Sequence, residues 1–270
     1  MTAQTHDHGP LASLRAATAV AWVAARQRLR DRGAVLARMG LFAVLLYVFT
    51  QLWAAVGRSA AAFEFVPGAI AWYIATTEWI VLSRSGVADE IQLELRSGDF
   101  AVRIGRPLGY PWAKLAESIG DQFARMLVLL PAAVVLPLLL GGGAAPSAAS
   151  LAAVVIAGSC ASVLACAFDL CLGLSAIWLH DARPLAWVWQ KALFICGGLL
   201  VPLEVYPAWL RQLCALLPFE AILHGPATLV LGTGALAPLL LQQLLWLAVA
   251  LLLLAWIFHR GLRRFDAAGG

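Results

Sequence analysis

Charge is scarce in this chain. Of its 270 residues, 13% are Asp, Glu, Lys or Arg and 62% are hydrophobic, about half the charge and far more apolar content than a soluble domain carries. A single water-facing core cannot absorb that excess, so much of it faces lipid or other buried helices. Lysine is nearly absent, with only Lys114 after Ala113 and Lys191 after Gln190. A phosphate-binding loop needs its Lys after Gly, so the chain holds no Walker A loop and does not bind ATP that way. Neither H-E-x-x-H nor G-x-S-x-G occurs, which leaves a membrane-embedded enzyme without a motif behind it. The five cysteines (Cys160, Cys166, Cys171, Cys196 and Cys214) include no CxxC pair. Their odd number argues against a complete disulfide framework, and they read as small apolar side chains. The histidines are scattered apart from His6 and His8, a pair on a polar stretch expected to be solvated, with no metal. Arginines flank apolar segments without interleaved aromatics on a polar face, so nucleic acid is not an expected partner. Residues 10–32 carry arginines throughout, so a cleavable signal peptide is not expected.

What the chain does have is six apolar segments: 36–56, 67–82, 119–140, 151–179, 185–201 and 236–258. Most are close to the ~20 residues that cross a bilayer as a helix. The expectation is an all-α integral membrane fold of six transmembrane helices, with residues 36–260 as one domain between tails at 1–35 and 261–270. Residues 11–32 form a further helix candidate. Leu14, Thr18, Trp22, Ala25 and Leu29 fall near one side, with Arg15, Arg26 and Arg30 beside them. That pattern suits a helix lying in the membrane interface; the alternative is the start of the first span. Six tryptophans near predicted span ends (Trp53, Trp72, Trp187, Trp189, Trp209 and Trp256) read as an interfacial belt. Numbering the segments from an inner N-terminus places seventeen basic residues inside and two, Arg58 and Arg211, outside. That asymmetry predicts both termini in the cytoplasm.

Two stretches break the apolar pattern. The first runs Asp89-Glu90-Ile91-Gln92-Leu93-Glu94-Leu95-Arg96-Ser97-Gly98-Asp99-Phe100, followed by Arg103 and Arg106-Pro107. Its apolar and polar residues alternate, so periodicity alone permits strand or helix. Asp89 and Glu90 would suit a helix N-terminus, and Gly98 its end. The second starts at Gly173-Leu174-Ser175-Ala176-Ile177-Trp178. It continues through Gly197-Gly198-Leu199-Leu200-Val201-Pro202-Leu203-Glu204-Val205-Tyr206-Pro207, then Leu217-Pro218-Phe219 and Gly225-Pro226. Pro202, Pro207, Pro218 and Pro226 forbid one continuous helix. Broken backbone at membrane depth is tolerated only where protein or water covers it, so this segment should be buried or line an outer vestibule.

In order and topology these stretches resemble the ABC-2 type permeases, over about residues 15–265. The resemblance is closest to a bacterial branch with an acid-rich I-x-x-G-D segment after span two and a G-G-x-x-x-P-L-x-x-x-P turn after span five. Leu95-Arg96 before Ser97-Gly98-Asp99 is a mild departure. What the resemblance implies is the membrane subunit of an exporter in the bacterial inner membrane: two permease chains, identical or siblings, with two separate ABC ATPase chains that hold ATP and magnesium. This chain would hold no cofactor. Asp89, Glu90, Glu94, Arg96, Ser97, Gly98 and Asp99 would form a cytoplasmic coupling helix against the ATPase. Gly197, Gly198, Pro202, Leu203, Glu204, Pro207, Pro218, Phe219 and Pro226 would form re-entrant helices capping the outer end. The expected cargo is a hydrophobic or amphipathic small molecule. A lipid-modifying enzyme and a non-transporting scaffold are the rival classes.

Three acids lie within or at the ends of spans. Glu78 and Asp121 are either interfacial or paired with Arg84 and Arg125. Asp169 lies deeper, and is either a pathway residue that contacts a cationic substrate or one half of a buried structural pair.

Overall fold

The computed structural model describes residues 10–59, 67–104, 109–143 and 145–267, and among them every regular element is helical. The first helices are α1 (Pro10–Arg30), α2 (Arg32–Ser59) and α3 (Pro67–Ser83), then α4 (Val87–Ser97), α5 (Asp99–Ile104) and α6 (Tyr110–Leu139). α7 (Ala148–Leu174), α8 (Ala176–Leu179) and α9 (Arg183–Cys196) follow. A 3-10 turn at Leu203–Val205 leads to α10 (Ala208–Ala215), α11 (Pro218–Ile222), α12 (His224–Leu231) and α13 (Leu236–Ala267). His6, His8, Arg106 and Pro107 lie outside the described residues.

Four segments are long and apolar enough to cross a membrane: Arg32–Val56, Tyr110–Leu139, Ala148–Leu179 and Leu236–Arg263. The other two expected spans are shorter helices. α3 has 17 residues and α9 has 14, about 25 Å and 21 Å at 1.5 Å per residue.

The helix boundaries depart from the apolar runs for physical reasons. α6 begins at Tyr110, nine residues ahead of the expected 119. Pro111 sits in its first turn, where proline is pre-organised for a helix. Its early charges are neutralised by neighbours, which hydropathy does not see. α9 stops at Cys196, short of the expected 201, because the chain turns at Gly198 with φ +69. Gly permits this left-handed backbone at no steric cost. α7 is interrupted at Ser175 before α8, and α13 continues beyond the expected 258 to Ala267.

α3 is the centre of the molecule. Tyr73, Ile74, Thr77 and Ile80 are fully buried, and the helix packs against α2, α6, α7 and α12. α2 and α13 lie at the periphery, with Leu41, Val44, Tyr47 and Leu52 exposed on one and Leu241, Leu245, Leu252 and Trp256 on the other. Such apolar faces suit lipid. Trp72 departs from the interfacial-belt reading: it is 4% exposed and donates from Nε1 to the Gly142 carbonyl at 3.0 Å. Trp187, Trp209 and Trp256 are exposed.

α1 is a separate helix and not the start of α2. The chain breaks at Asp31, whose carboxylate accepts the Ala34 N–H at 3.1 Å and caps α2. α1 lies along α6, and the contact is close at Gly120, where a Cβ would collide with the Ala21 backbone. Gly120→Ala is expected to separate these helices and destabilise the protein by about 1–3 kcal/mol. Gly40→Ala, where a Cβ meets nothing within 4 Å, should be neutral or slightly stabilising in the helix. Thermal unfolding of the two variants in the same detergent checks the contrast.

Candidate functional site

The first motif forms a short amphipathic helix with one face fixed. α4 carries Asp89 and Glu90 in its first turn and ends at Gly98, whose φ is +83. A left-handed residue there lets the chain turn directly into α5. The helix resolves the strand-or-helix ambiguity: Val87, Ile91, Gln92 and Glu94 are buried on one side. Val87 and Ile91 pack with Phe100, Tyr110, Leu170 and Leu174.

Polar groups lock the same face. Glu94 is 8% exposed. It accepts from the Tyr110 hydroxyl at 2.7 Å and pairs with Lys114 at 2.8 Å and Arg103 at 3.1 Å. Lys114, itself 3% exposed, also reaches Glu117 at 3.1 Å and Glu90 at 3.2 Å. Gln92 ties α4 to the turn before α9. Its amide donates to Asp181 at 2.7 Å, and its carbonyl accepts the Ala182 N–H at 3.1 Å. Arg96 reaches the same carboxylate at 3.3 Å. The Arg183 guanidinium and backbone N–H, with the Gln92 amide, hold the Asp181 carboxyl well below the usual carboxylate range. A carboxyl lowered in the folded state stabilises above its unfolded value and is lost only on strong acidification, so this tether persists through neutral pH.

The opposite face is open. Asp89, Arg96, Ser97, Gly98 and Asp99 are exposed, and Glu90 is half-exposed. Two apolar side chains are exposed as well, Leu93 on α4 at 67% and Val102 on α5 at 73%. A cavity of about 700 Å³ opens beside this face, bounded by α1, α4, α5 and the start of α6.

Arg84 and Asp169 form a buried bidentate pair, Nη2–Oδ1 2.6 Å and Nε–Oδ2 3.2 Å. Arg125 donates to the Arg84 carbonyl at 2.8 Å and pairs with Asp121 at 2.5 Å, and Arg28 shares that carboxylate. The pairing of Asp121 with Arg125 matches the expectation. That of Glu78 with Arg84 does not, because Arg84 is committed to Asp169. Glu78 is 3% exposed and makes no ion pair among the described residues.

The second motif lies at the other end of α3, folded inward. Side chains from the spanning helices answer the carbonyls freed where α9 ends. The Tyr73 hydroxyl donates to the Gly198 carbonyl at 2.7 Å, Thr77 to Leu199 at 3.1 Å, and Trp53 to Leu200 at 2.9 Å. Gln243 donates to the Ala221 carbonyl at 2.9 Å. Gly197 and Gly198 have no room for a side chain, against the Phe219 carbonyl and the Tyr73 hydroxyl respectively. Pro202, Leu203, Pro218, Phe219 and Pro226 are buried, whereas Glu204 and Pro207 are exposed. Phe219 meets Trp189 edge-on at 4.6 Å. His224 lies 3.1 Å from the Tyr73 hydroxyl and 3.5 Å from Glu204.

Among the described residues, four helices long and apolar enough to span a membrane, with the buried α3 packed among α2, α6 and α7, define a multi-pass membrane protein. The sequence matches the family described as ABC-2 family transporter protein over residues 37–269, and the chain belongs to that family of ABC-transporter permeases. No curated protein matches it.

Sequence reasoning missed Tyr110, Lys114, Glu117 and Asp181 as partners of α4, and the bridging role of Gln92 within it. One signal was present: Lys114 and Glu117 are three residues apart, a spacing that pairs on a helix. It also missed Tyr73 and Thr77, whose four-residue spacing puts two polar groups on one face of an apolar helix.

Removing Lys114 takes the buried cation from Glu94 and leaves it the half-exposed Arg103 and the Tyr110 hydroxyl. Lys114→Met is therefore expected to destabilise the protein by about 2–3 kcal/mol, less than for a buried charge left wholly unpaired, whereas Arg96→Ala, at an exposed pair, should cost at most about 1 kcal/mol. Thermal unfolding of both in detergent checks the difference. Tyr73→Phe, which leaves the Gly198 carbonyl without its donor, should cost about 1–3 kcal/mol by the same measurement.

Proposed function

We propose that the chain is the membrane subunit of an ATP-driven exporter, and that a separate ATPase chain docks on the open face of α4 and α5. The observation that carries this reading is the pair Leu93 and Val102. Leu93 stands exposed on α4, whose other face is immobilised, and Val102 stands exposed on α5, and the same two helices expose Asp89, Glu90, Arg96 and Asp99. An exposed apolar patch with a polar rim marks a protein–protein contact. A fixed helix can pass a partner's movement into α6 and α7, to which it is bonded and packed. α1, lining the same cavity, is the second contact for that partner. ATP and magnesium belong to the ATPase chain.

In this reading the chain crosses the bacterial inner membrane six times with both ends in the cytoplasm. α3 and α9 are the two short crossings: α3 packs against the turn at Gly142, and the turn at Gly198–Val201 follows α9. The segment from the Leu203–Val205 turn to α12 caps the outer end. A second permease, identical or a sibling, completes the path for a hydrophobic or amphipathic cargo.

The test is affinity purification of the tagged chain from gently solubilised membranes. A co-purifying ATPase with its own P-loop is expected, and Leu93→Asp or Val102→Asp should abolish its recovery without reducing the amount or thermal stability of the permease. Recovery of no ATPase with the native chain, or undiminished recovery with both variants, would overturn the docking assignment.

A further inference from the structure

A second cavity, of about 510 Å³, lies at the charged end between α2, α3, α4, α6, α7 and α9. Its size is that of a small-ligand site. Four arginines line it, Arg38, Arg84, Arg125 and Arg183, with Trp187 and Gln190 on the α9 side. Two acids also line it, Asp169 and Asp89. Asp169 is bound on both oxygens by Arg84, so it presents no free charge. Asp89 is exposed at the end of α4.

The charges around this cavity do not balance. Arg125 and Arg28 share one carboxylate, Asp121. Arg183 and Arg96 share another, Asp181. Arg38 donates to the Leu82 carbonyl and makes no ion pair among the described residues, Asp121 acting on it only at longer range. Arg125, 7% exposed, keeps its Nε buried with no hydrogen-bond partner among them. The group therefore holds six guanidiniums (Arg28, Arg38, Arg84, Arg96, Arg125, Arg183) against four carboxylates (Asp89, Asp121, Asp169, Asp181). A surplus of two positive charges at a partly buried site is costly unless something anionic answers it.

From this geometry we infer that the cavity binds a phosphate group carried by an anionic amphiphile or phosphate ester. The guanidinium fork matches the oxygens of phosphate. The surplus of two charges matches the one or two negative charges of a phosphate mono- or diester. Trp187 is 59% exposed at the rim, an amphipathic ring of the kind that sits at headgroup level. Asp169 thereby acts as an orienting residue: it holds Arg84 in the wall, and the wall as a whole presents positive charge. A cationic ligand contacting Asp169 does not fit this arrangement. The inference goes beyond the export reading and depends only on the chain being embedded in a membrane.

Native mass spectrometry of the purified full chain tests it, using dioleoyl phosphatidylglycerol, dioleoyl phosphatidylcholine and inorganic phosphate as probes. Phosphatidylglycerol is expected to bind more tightly than phosphatidylcholine. Arg38→Gln should weaken phosphatidylglycerol about tenfold, the effect of one charge-assisted hydrogen bond, and Arg38→Lys should restore most of it. Arg183→Gln, at an exposed position that does not threaten folding, should weaken it as well. Displacement of the lipid by inorganic phosphate would place recognition in the phosphate alone. Resistance to phosphate would assign the site to lipid headgroups. Equal binding of the two lipids, or phosphatidylglycerol binding unchanged in both Gln variants, would overturn the assignment. The readout involves no ATPase, so failure of the docking experiment and failure of this one are separable.

Discussion

Away from water, a backbone carbonyl or N–H that leaves a helix must find a partner inside the protein. Much of the organisation of this chain follows from that constraint. Between Cys196 and Leu236 the backbone breaks repeatedly, at Gly198, Pro202, Pro207, Leu217 and Leu223. The freed carbonyls of Gly198, Leu199 and Leu200 turn to Tyr73, Thr77 and Trp53, and that of Ala221 turns to Gln243. This is why α3, an apolar and short helix, is central and carries Tyr73 and Thr77 on one face. It supplies the donors for the broken segment, and a lipid-facing helix could not carry Tyr73 and Thr77 in that role. The glycine at 198 follows from the same demand, because a Cβ there would collide with the Tyr73 hydroxyl that answers its carbonyl.

At the other end the constraint is charge. α4 brings Glu94 into a site where three carboxylates meet one buried lysine. A buried ion pair is weak evidence for stability when compared with an apolar replacement, but removing one partner is costly. Such a cluster therefore specifies where α4 sits more than it strengthens the fold. Gln92 does the same on the neighbouring side by bridging to Asp181 and Ala182. With both anchors in place, α4 cannot rotate without breaking several bonds. Leu93 is then held outward on a rigid support.

The sequence made the helical class, the α4 segment and the broken segment legible, because each rests on a local signal: apolar length, a glycine stop, a run of prolines. It was less informative wherever a polar residue is neutralised by a distant partner. The first turns of α6 read as loop because Tyr110, Lys114 and Glu117 lower the local hydropathy, yet all three are satisfied by residues on α4 or by one another. Trp72 read as interfacial because tryptophan is common there, and only the position of Gly142 makes it a core donor. The early end of α9 was hidden by Leu199, Leu200 and Val201, apolar residues that pack in a turn as readily as in a helix. Arg84 could be matched to an acid from proximity in sequence, but the choice of Asp169 over Glu78 depends on α3 and α7 being neighbours.

That choice decides the sign of the site. An acid deep in a span, taken alone, points to a cationic ligand. Paired on both oxygens with Arg84, Asp169 has no charge left to offer, and its effect is to keep a guanidinium in the cavity wall that would otherwise reach for water. Arg125, bonded to the Arg84 carbonyl, follows it into the wall. Asp121 and Asp181 are each divided between two arginines. Each carboxylate near this cavity except exposed Asp89 is thus saturated by cations, and the residual field is positive. A purely apolar molecule gains nothing from such a wall, and a cationic one is repelled by it. Among amphipathic molecules, the wall favours those that carry an anion at the level of the charged end of the helices.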